Sequence, residues 1–215
     1  KAGIALQPPW LARRVYSDLP PILLNLMLPG VSGATAAGLF GIARKIASIP
    51  LIVSLSFLYV LAPLSSAQAA TKRREIGPLF SFSTHISVLF ALPIAGFMML
   101  VAADVLTAFA PGAEAALPVV LILLLGRSVE AALGPATPIV EMTGHRALPL
   151  INSILGLALW LGLAAWLVPL AQAVGMAVSV TAAIIVTALL AIFELWWSDR
   201  LSPFGFGFWR ALLAS

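Results

Sequence analysis

An apolar stretch with two adjacent cations near its start constrains the fold of this chain more than any other feature. It runs from Gly38 to Pro63 and reads GLFGIARKIASIPLIVSLSFLYVLAP. Past Lys45 it stays apolar for roughly the 20 residues that a helix needs to cross a bilayer. A cation in such a span costs about 2.5–3.5 kcal/mol at the membrane centre and less near the ends. The sequence therefore predicts a membrane helix in which Arg44 and Lys45 face a protein interior or a wet cavity.

The composition places the whole chain in the membrane class. Hydrophobic residues make up 61% of the 215 residues, charged residues make up 9%, and the mean hydropathy is +1.08. A soluble domain carries about 25% charged residues. Cysteine is absent, which excludes disulfides and thiolate metal sites. The net charge of +4 is first a topology signal in such a chain, and we expect no nucleic-acid partner.

The spacing of the apolar runs predicts an all-α, polytopic lobe of six membrane helices. Residues 1–17 are expected to form a cytoplasmic or interfacial segment, residues 18–198 the lobe, and residues 199–215 a cytoplasmic interfacial tail. The predicted helices cover residues 19–37, 38–63, 79–105, 115–140, 148–170 and 174–197, with a tight turn at 171–173. Pro29 and Gly30 suggest a break in the first helix, and the small residues that follow permit close packing or a flexible outer turn.

The basic residues predict that both ends of the chain are cytoplasmic. The inner segments then hold nine cations, whereas the three outer turns hold none: Lys1, Arg13, Arg14, Lys72, Arg73, Arg74, Arg146, Arg200 and Arg210. The same topology places Arg44 and Lys45 toward the outer side of the second helix, where the positive-inside rule disfavours cations. This departure favours a binding role for the two residues.

A polar stripe follows one side of the second predicted helix. At about 100° per residue, its members fall within about a third of the circumference: Arg44, Lys45, Ser48, Ser56 and Tyr59. One interpretation is a cavity wall that binds phosphate, which makes Arg44, Lys45, Ser48 and Tyr59 candidate substrate-binding residues. The alternative is a pair of cations that extend to the headgroups from a helix end.

A second stripe lies on the fourth predicted helix. Arg127, Glu130, Gly134, Thr137 and Glu141 fall within about a quarter of its circumference. Arg127 lies near mid-span, and it can pair with Glu130 because the two residues are three apart. One interpretation is a neutralised ion pair that holds helices together. The other is a functional site in which Arg127 binds substrate and Glu130 titrates as a coupling residue.

Other polar residues favour structural roles. His85 and His145 are expected to be structural or solvated, and Asn25 and Asn152 to form hydrogen bonds between helices. The last helix carries a small-residue packing face: Gly175, Ser179 and Ala183. The sequence has no metal-ligand cluster, no nucleophile elbow and no phosphate-cradling glycine loop. We therefore expect neither an enzyme nor a cofactor.

Two long segments resemble a known family. They read AAGLFGIARKIASIPLIVSLSFLYVLAPLSS and LLGRSVEAALGPATPIVEMTGHRALPLINSILGLALWLGLAAWLVPLAQAVGMAVSV. A small-residue turn leads into a G-x-[FY]-x-x-A-x-[RK]-I-x-x-x-P pattern, and later spans carry an early Asn, a proline turn and a glycine near the helix start. From about Tyr16 to Glu194, the chain resembles one lobe of a polysaccharide or O-antigen flippase, in the multidrug/oligosaccharidyl-lipid/polysaccharide exporter superfamily.

The resemblance implies two six-helix lobes around a cavity that opens alternately to each side of the bacterial inner membrane. Such carriers bind the diphosphate of a polyprenyl-linked oligosaccharide, and Lys45 occupies the position of a basic residue in the family pattern. Arg44 and Arg127 join it through the stripes and not through the resemblance. The chain has one lobe, which we expect to be the C-terminal half of a longer protein with a second lobe as its partner.

Other functions stay open. A cation-coupled multidrug exporter of the same superfamily needs a carboxylate in the cavity, and Glu130 is the candidate. A non-transporting subunit that holds glycan enzymes at the membrane is a second alternative. A membrane glycosyl- or acyltransferase is disfavoured because no acid/base set is present.

Overall fold

The computed structural model describes residues 18–52, 76–133, 140 and 147–199. Every regular element in this part of the chain is helical, and none of it forms a strand. The predicted all-α class is therefore confirmed. Several predicted features lie outside the described residues: Ser56, Tyr59, residues 72–74, residues 134–139, residues 141–146 and both interfacial ends.

The first two helices form an antiparallel hairpin. The described part of helix α1 covers residues 18–27, and helix α2 covers Val31–Ala47. Gly30 lies between them with φ 62° and ψ −137°, a conformation that glycine adopts without strain. Asp18 and Arg44 are 26 residues apart in sequence, yet their side chains meet at 3.4 Å. This contact requires α2 to run back along α1.

The prediction of a helix boundary after Ala37 is wrong. The chain breaks at residues 28–30, and the small residues that follow lie inside α2. A Cβ atom on Gly33 would clash with the carbonyl oxygen of Leu28, so glycine at this position allows the two helices to approach closely. Gly33 and Ala36 are buried and serve packing, whereas Ser32, Ala34 and Gly38 are exposed, and all five lie inside α2 and not in a turn.

The second predicted helix is interrupted where its cations end. Helix α2 stops at Ala47, Ser48 caps it, and the described residues 49–52 are helical again. Pro50 explains the break, since it lacks an N–H donor and its ring clashes with the carbonyl four residues earlier. Arg44 and Lys45 therefore lie in the last turn of α2.

Two further helices follow the predicted third and fourth spans. Helix α3 covers Ile76–Phe109 and contains Pro93. A turn with Gly112 at φ 83° leads to a 3₁₀ helix at Ala113–Ala116 and then to helix α4 at Leu117–Leu133. Helix α3 contains the third predicted span and extends beyond it to Phe109, and α4 matches the described part of the fourth, whose residues 134–139 lie outside the described ranges.

The last element, Ala147–Asp199, consists of two helices that fold back on each other. Its helical geometry is interrupted at Ala171 and Gln172, which separate α5 (residues 147–170) from α6 (residues 173–199). The Asn152 amide donates to the Glu194 carboxylate at 2.8 Å. In one straight helix these residues would be about 63 Å apart. The predicted turn at 171–173 is confirmed.

Within the part of the chain that the structure describes, three stretches are long and apolar enough to cross a membrane: Phe80–Phe109, Ala113–Leu133 and Leu148–Trp197. The third stretch contains both arms of the α5–α6 hairpin. These helices are compatible with a multi-pass membrane protein. The count of six spans is not established by the described residues.

Helix α4 is the centre of the bundle. It contacts α2, α3 and the α5–α6 hairpin. The turn after α3 and the turn between α5 and α6 lie at one end of the bundle, which we call the turn end. At the opposite end, which we call the open end, the start of α3, the start of α5 and the end of α6 meet in a small core: Phe80, Val140, Leu148, Ala191 and Leu195.

Small residues bring α6 close to its neighbours. Gly175, Ser179 and Ala183 are all buried, which confirms the predicted packing face. On α4, a Cβ atom on Gly126 would lie 2.7 Å from the Thr181 Cγ2 atom of α6. Close packing of this kind holds α4 in a fixed rotation, and that rotation determines where its charged residues point.

Candidate functional site

A charged pair lies on α4, within the bundle. Arg127 Nη1 donates to Glu130 Oε2 at 2.7 Å, the distance of a strong charge-assisted hydrogen bond. The Arg127 side chain is 21% exposed and the Glu130 side chain is 35% exposed. The predicted pairing of these residues is therefore confirmed, and both side chains are partly exposed.

The pair faces inward. Leu121 and Leu125 mark the exposed side of α4. At 100° per residue, Arg127 lies about 140° and Glu130 about 160° from the middle of that side. Leu123 lies on the same inner face but is only 4% exposed. It follows that the inner face is accessible at the level of the pair and closed about one turn closer to the turn end.

The Arg127–Glu130 pair is neutral as a whole, and this decides what it can do. While Glu130 holds the guanidinium, Arg127 presents less positive charge to an anion. Removing either partner leaves a half-buried charge in an apolar bundle, which is strongly unfavourable. The pair therefore holds two opposite charges together on the inner face of α4.

A second pair lies between α1 and α2. The Arg44 Nη1 atom and the Asp18 Oδ1 atom are 3.4 Å apart, and their side chains are 32% and 59% exposed. The N–O distance is thus longer than in the pair on α4, and both side chains are more exposed. Arg44 and Arg127 each have an acidic partner, and the partner of Arg44, Asp18, is not among the predicted site residues.

The premise that Arg44 lies near the outer end of its helix is wrong. Since the helix break is at residues 28–30, Arg44 lies 14 residues past Gly30, about 20 Å along α2. It is level with Asp18 at the start of α1. The topology argument for a binding role therefore loses its basis, and the case for binding depends on the geometry alone.

Lys45 lies on the outside of the described bundle. It is exposed, and it points about 170° away from the packed side of α2, whose members are Ala36, Phe40, Ala43 and Ala47. The Ser48 hydroxyl donates to the Lys45 carbonyl oxygen at 2.7 Å, so it caps the helix end. Of the predicted stripe, Arg44, Lys45 and Ser48 share the end of α2, while Tyr59 lies outside the described residues.

Sequence reasoning missed Glu194 as a functional candidate. Asn152 is 5% exposed, and its predicted interhelical bond is confirmed with Glu194 as the acceptor. A signal was present, because Glu194 is the only charged residue between Leu148 and Trp197. Ionisable residues inside apolar spans face the protein interior as a rule. Asn25, in contrast, is exposed and does not repeat this arrangement.

The remaining candidates are structural where they are described. The His85 Nδ1 atom lies 2.5 Å from the Ser81 carbonyl oxygen on the same helix, which agrees with a structural role. Within the described ranges, no group of three or more His, Cys, Asp or Glu side chains could hold a metal ion. No protein-family model matches the chain, and a search of the curated proteins finds no match to it.

Proposed function

We propose that this chain is one lobe of a carrier that moves a polyprenyl-diphosphate-linked oligosaccharide across the bacterial inner membrane by alternating access. The observation that carries the proposal is the Arg127–Glu130 pair. It lies on the inner face of the helix that contacts α2, α3 and the α5–α6 hairpin, and both side chains are partly exposed. A charged pair inside an apolar bundle costs free energy, and ionisable residues at such positions commonly have a functional role.

A diphosphate suits these residues because it carries several negative charges and many acceptor oxygens. Arginine offers a planar fork of donors that matches phosphate geometry, and the attraction is stronger where the surroundings have a low dielectric constant. We assign Arg127, Arg44 and Lys45 to the diphosphate. Ser48 and Tyr59 would contribute hydroxyl groups.

Glu130 is assigned to coupling. While it is ionised, it holds Arg127 at 2.7 Å. When it takes up a proton, the guanidinium becomes available to the diphosphate. Proton uptake and substrate binding would then favour each other, and proton release would favour substrate release.

A second lobe is part of the proposal. Lys45 faces away from the packed side of α2, so its ammonium group can reach substrate only if a cavity borders that face. We propose that the second lobe forms the opposite wall of this cavity. Without it, the exposed end of α2 would contact lipid.

Complementation of a flippase-deficient strain tests the proposal. The intact protein should restore surface glycan, and the Lys45→Arg control should also restore it because the charge is kept. Lys45→Glu should abolish complementation. If the double variant with Lys45→Glu and Arg44→Glu still complements at equal protein levels, these cations do not bind substrate.

The cation-coupled drug exporter is the second candidate, and the accessible carboxylate of Glu130 favours it. Two results would replace the first proposal with this one. The protein would confer drug export on a susceptible strain, with export lost in Glu130→Gln, and it would fail to restore surface glycan to the flippase-deficient strain. Failure in both assays, with glycan enzymes still recruited to the membrane, would favour the assembly subunit.

A further inference from the structure

We propose that Asp18 acts as a built-in competitor for the anion site at Arg44, a proposal that rests on the proposed function. Asp18 contacts Arg44 Nη1 through Oδ1 at 3.4 Å, and this is a contact between helices. When no substrate is present, the Asp18 carboxylate pairs with the Arg44 guanidinium. A ligand with phosphate oxygens displaces it.

The geometry of the contact favours exchange over a permanent joint. Charge-assisted N–H···O bonds are commonly 2.7–2.9 Å long. The Asp18–Arg44 distance is well beyond that range, and Asp18 is 59% exposed. An exposed ion pair of this kind contributes little to stability. The Arg127–Glu130 pair, at 2.7 Å and more buried, lacks this combination of length and exposure.

The surroundings explain why a competitor is useful. Lys45 is the next residue along α2 and is exposed, so the two cations at the end of α2 form a site that would attract any anion. The membrane contains monoanionic phospholipids at high concentration, and basic side chains attract them. A carboxylate that already occupies Arg44 lowers the occupancy of weak monoanions. A diphosphate binds strongly enough to displace the carboxylate.

The experiment measures binding of a soluble polyprenyl diphosphate, farnesyl diphosphate, to the chain in lipid nanodiscs. In neutral phosphatidylcholine nanodiscs, Asp18→Asn should tighten binding about two- to fivefold, the range expected for loss of an exposed ion pair. In nanodiscs that contain phosphatidylglycerol, the gain should shrink, because the phospholipid now occupies the freed site. Asp18→Glu should restore the original affinity.

The variant Arg44→Ala separates competition from a general change in charge. In an Arg44→Ala background, Asp18→Asn should leave farnesyl diphosphate binding unchanged. An equal gain in that background would overturn the proposal, since Asp18 would then act through the net field and not through Arg44. Unchanged binding on Asp18→Asn alone would also overturn it.

The outcomes also separate the competitor from the proposed function. If Lys45→Glu weakens binding but Asp18→Asn has no effect, the competitor fails and the diphosphate site stands. If neither Lys45→Glu nor Arg44→Ala changes binding, the diphosphate site itself fails. Binding of phosphatidylglycerol and of farnesyl diphosphate with equal affinity would identify a lipid-headgroup site only.

Discussion

The α1–α2 and α5–α6 hairpins are built alike at their turns. Each turn has one residue with positive φ: Gly30 at φ 62°, ψ −137° and Gln172 at φ 46°, ψ −122°. In each, a glycine follows three residues later, and a Cβ atom on Gly33 or Gly175 would clash with a carbonyl oxygen of the preceding helix. Two unrelated stretches of sequence therefore solve the same problem of close helix reversal in the same way.

The two hairpins differ in the polar contact that joins their arms away from the turn. Asp18 and Arg44 meet at 3.4 Å in an exposed pair, whereas Asn152 donates to Glu194 at 2.8 Å from a buried position. Burial makes the second contact a structural joint, because a lost hydrogen bond inside the bundle cannot be replaced by water. Exposure makes the first contact exchangeable, which is what a binding site requires.

The largest effect is expected from the glycines that the hairpins share. Gly175→Ala and Gly33→Ala should each lower the free energy of unfolding by about 3 kcal/mol, because the methyl group meets backbone and the helices must separate. Unfolding in mixed detergent micelles measures this. Gly162→Ala and Gly38→Ala are matched controls with open space around the Cβ position. Equal stability of the Gly175 and Gly162 variants would contradict the close packing at the turn.

The Asn152–Glu194 and Asp18–Arg44 contacts should contribute differently to the free energy of unfolding. Asn152→Ala is expected to cost about 1.5–3 kcal/mol, since a buried hydrogen bond to a carboxylate is lost. Asp18→Ala should cost at most about 1 kcal/mol in the same assay. If the two variants lose the same stability, the exposed contact is a structural joint as well, and the distinction between the hairpins disappears.

The smallest effect is expected at the turn residues, with opposite signs. Gln172→Gly should stabilise the protein by about 1 kcal/mol, because glycine adopts positive φ without the strain that a side chain brings. Gly30→Ala should destabilise by a similar amount through backbone strain alone, since no atom lies within 4 Å of the added Cβ. Unfolding midpoints at fixed detergent composition report both changes, and shifts of the same sign would argue against a shared turn conformation.

The hairpin turns show how far the sequence could predict the fold. The turn at 171–173 was found because apolar runs of membrane length flank it. The break at 28–30 is harder to predict, because the small residues from Gly33 onward look like a turn in composition. Only the close approach of Leu28 shows that Gly33 is a packing residue inside α2. Hydropathy thus locates long spans better than it locates the turn of the first hairpin.

The candidate site was predictable only where its partners are close in sequence. Arg127 and Glu130 are three residues apart on one helix, so their pairing follows from helix geometry. Asp18 pairs with Arg44 and Asn152 pairs with Glu194 across 26 and 42 residues. Those pairings depend on which helices reverse and where, which local patterns do not encode.

The most direct test of the central claim is whether position 45 borders water or acyl chains. The chain has no cysteine, so Lys45→Cys introduces a single thiol. Leu100→Cys, at a position on α3 that is 83% exposed, is the control for a lipid-facing residue. In the intact protein, we expect a membrane-impermeant maleimide to label position 45 and not position 100. Failure to label position 45 would contradict the diphosphate site at the end of α2.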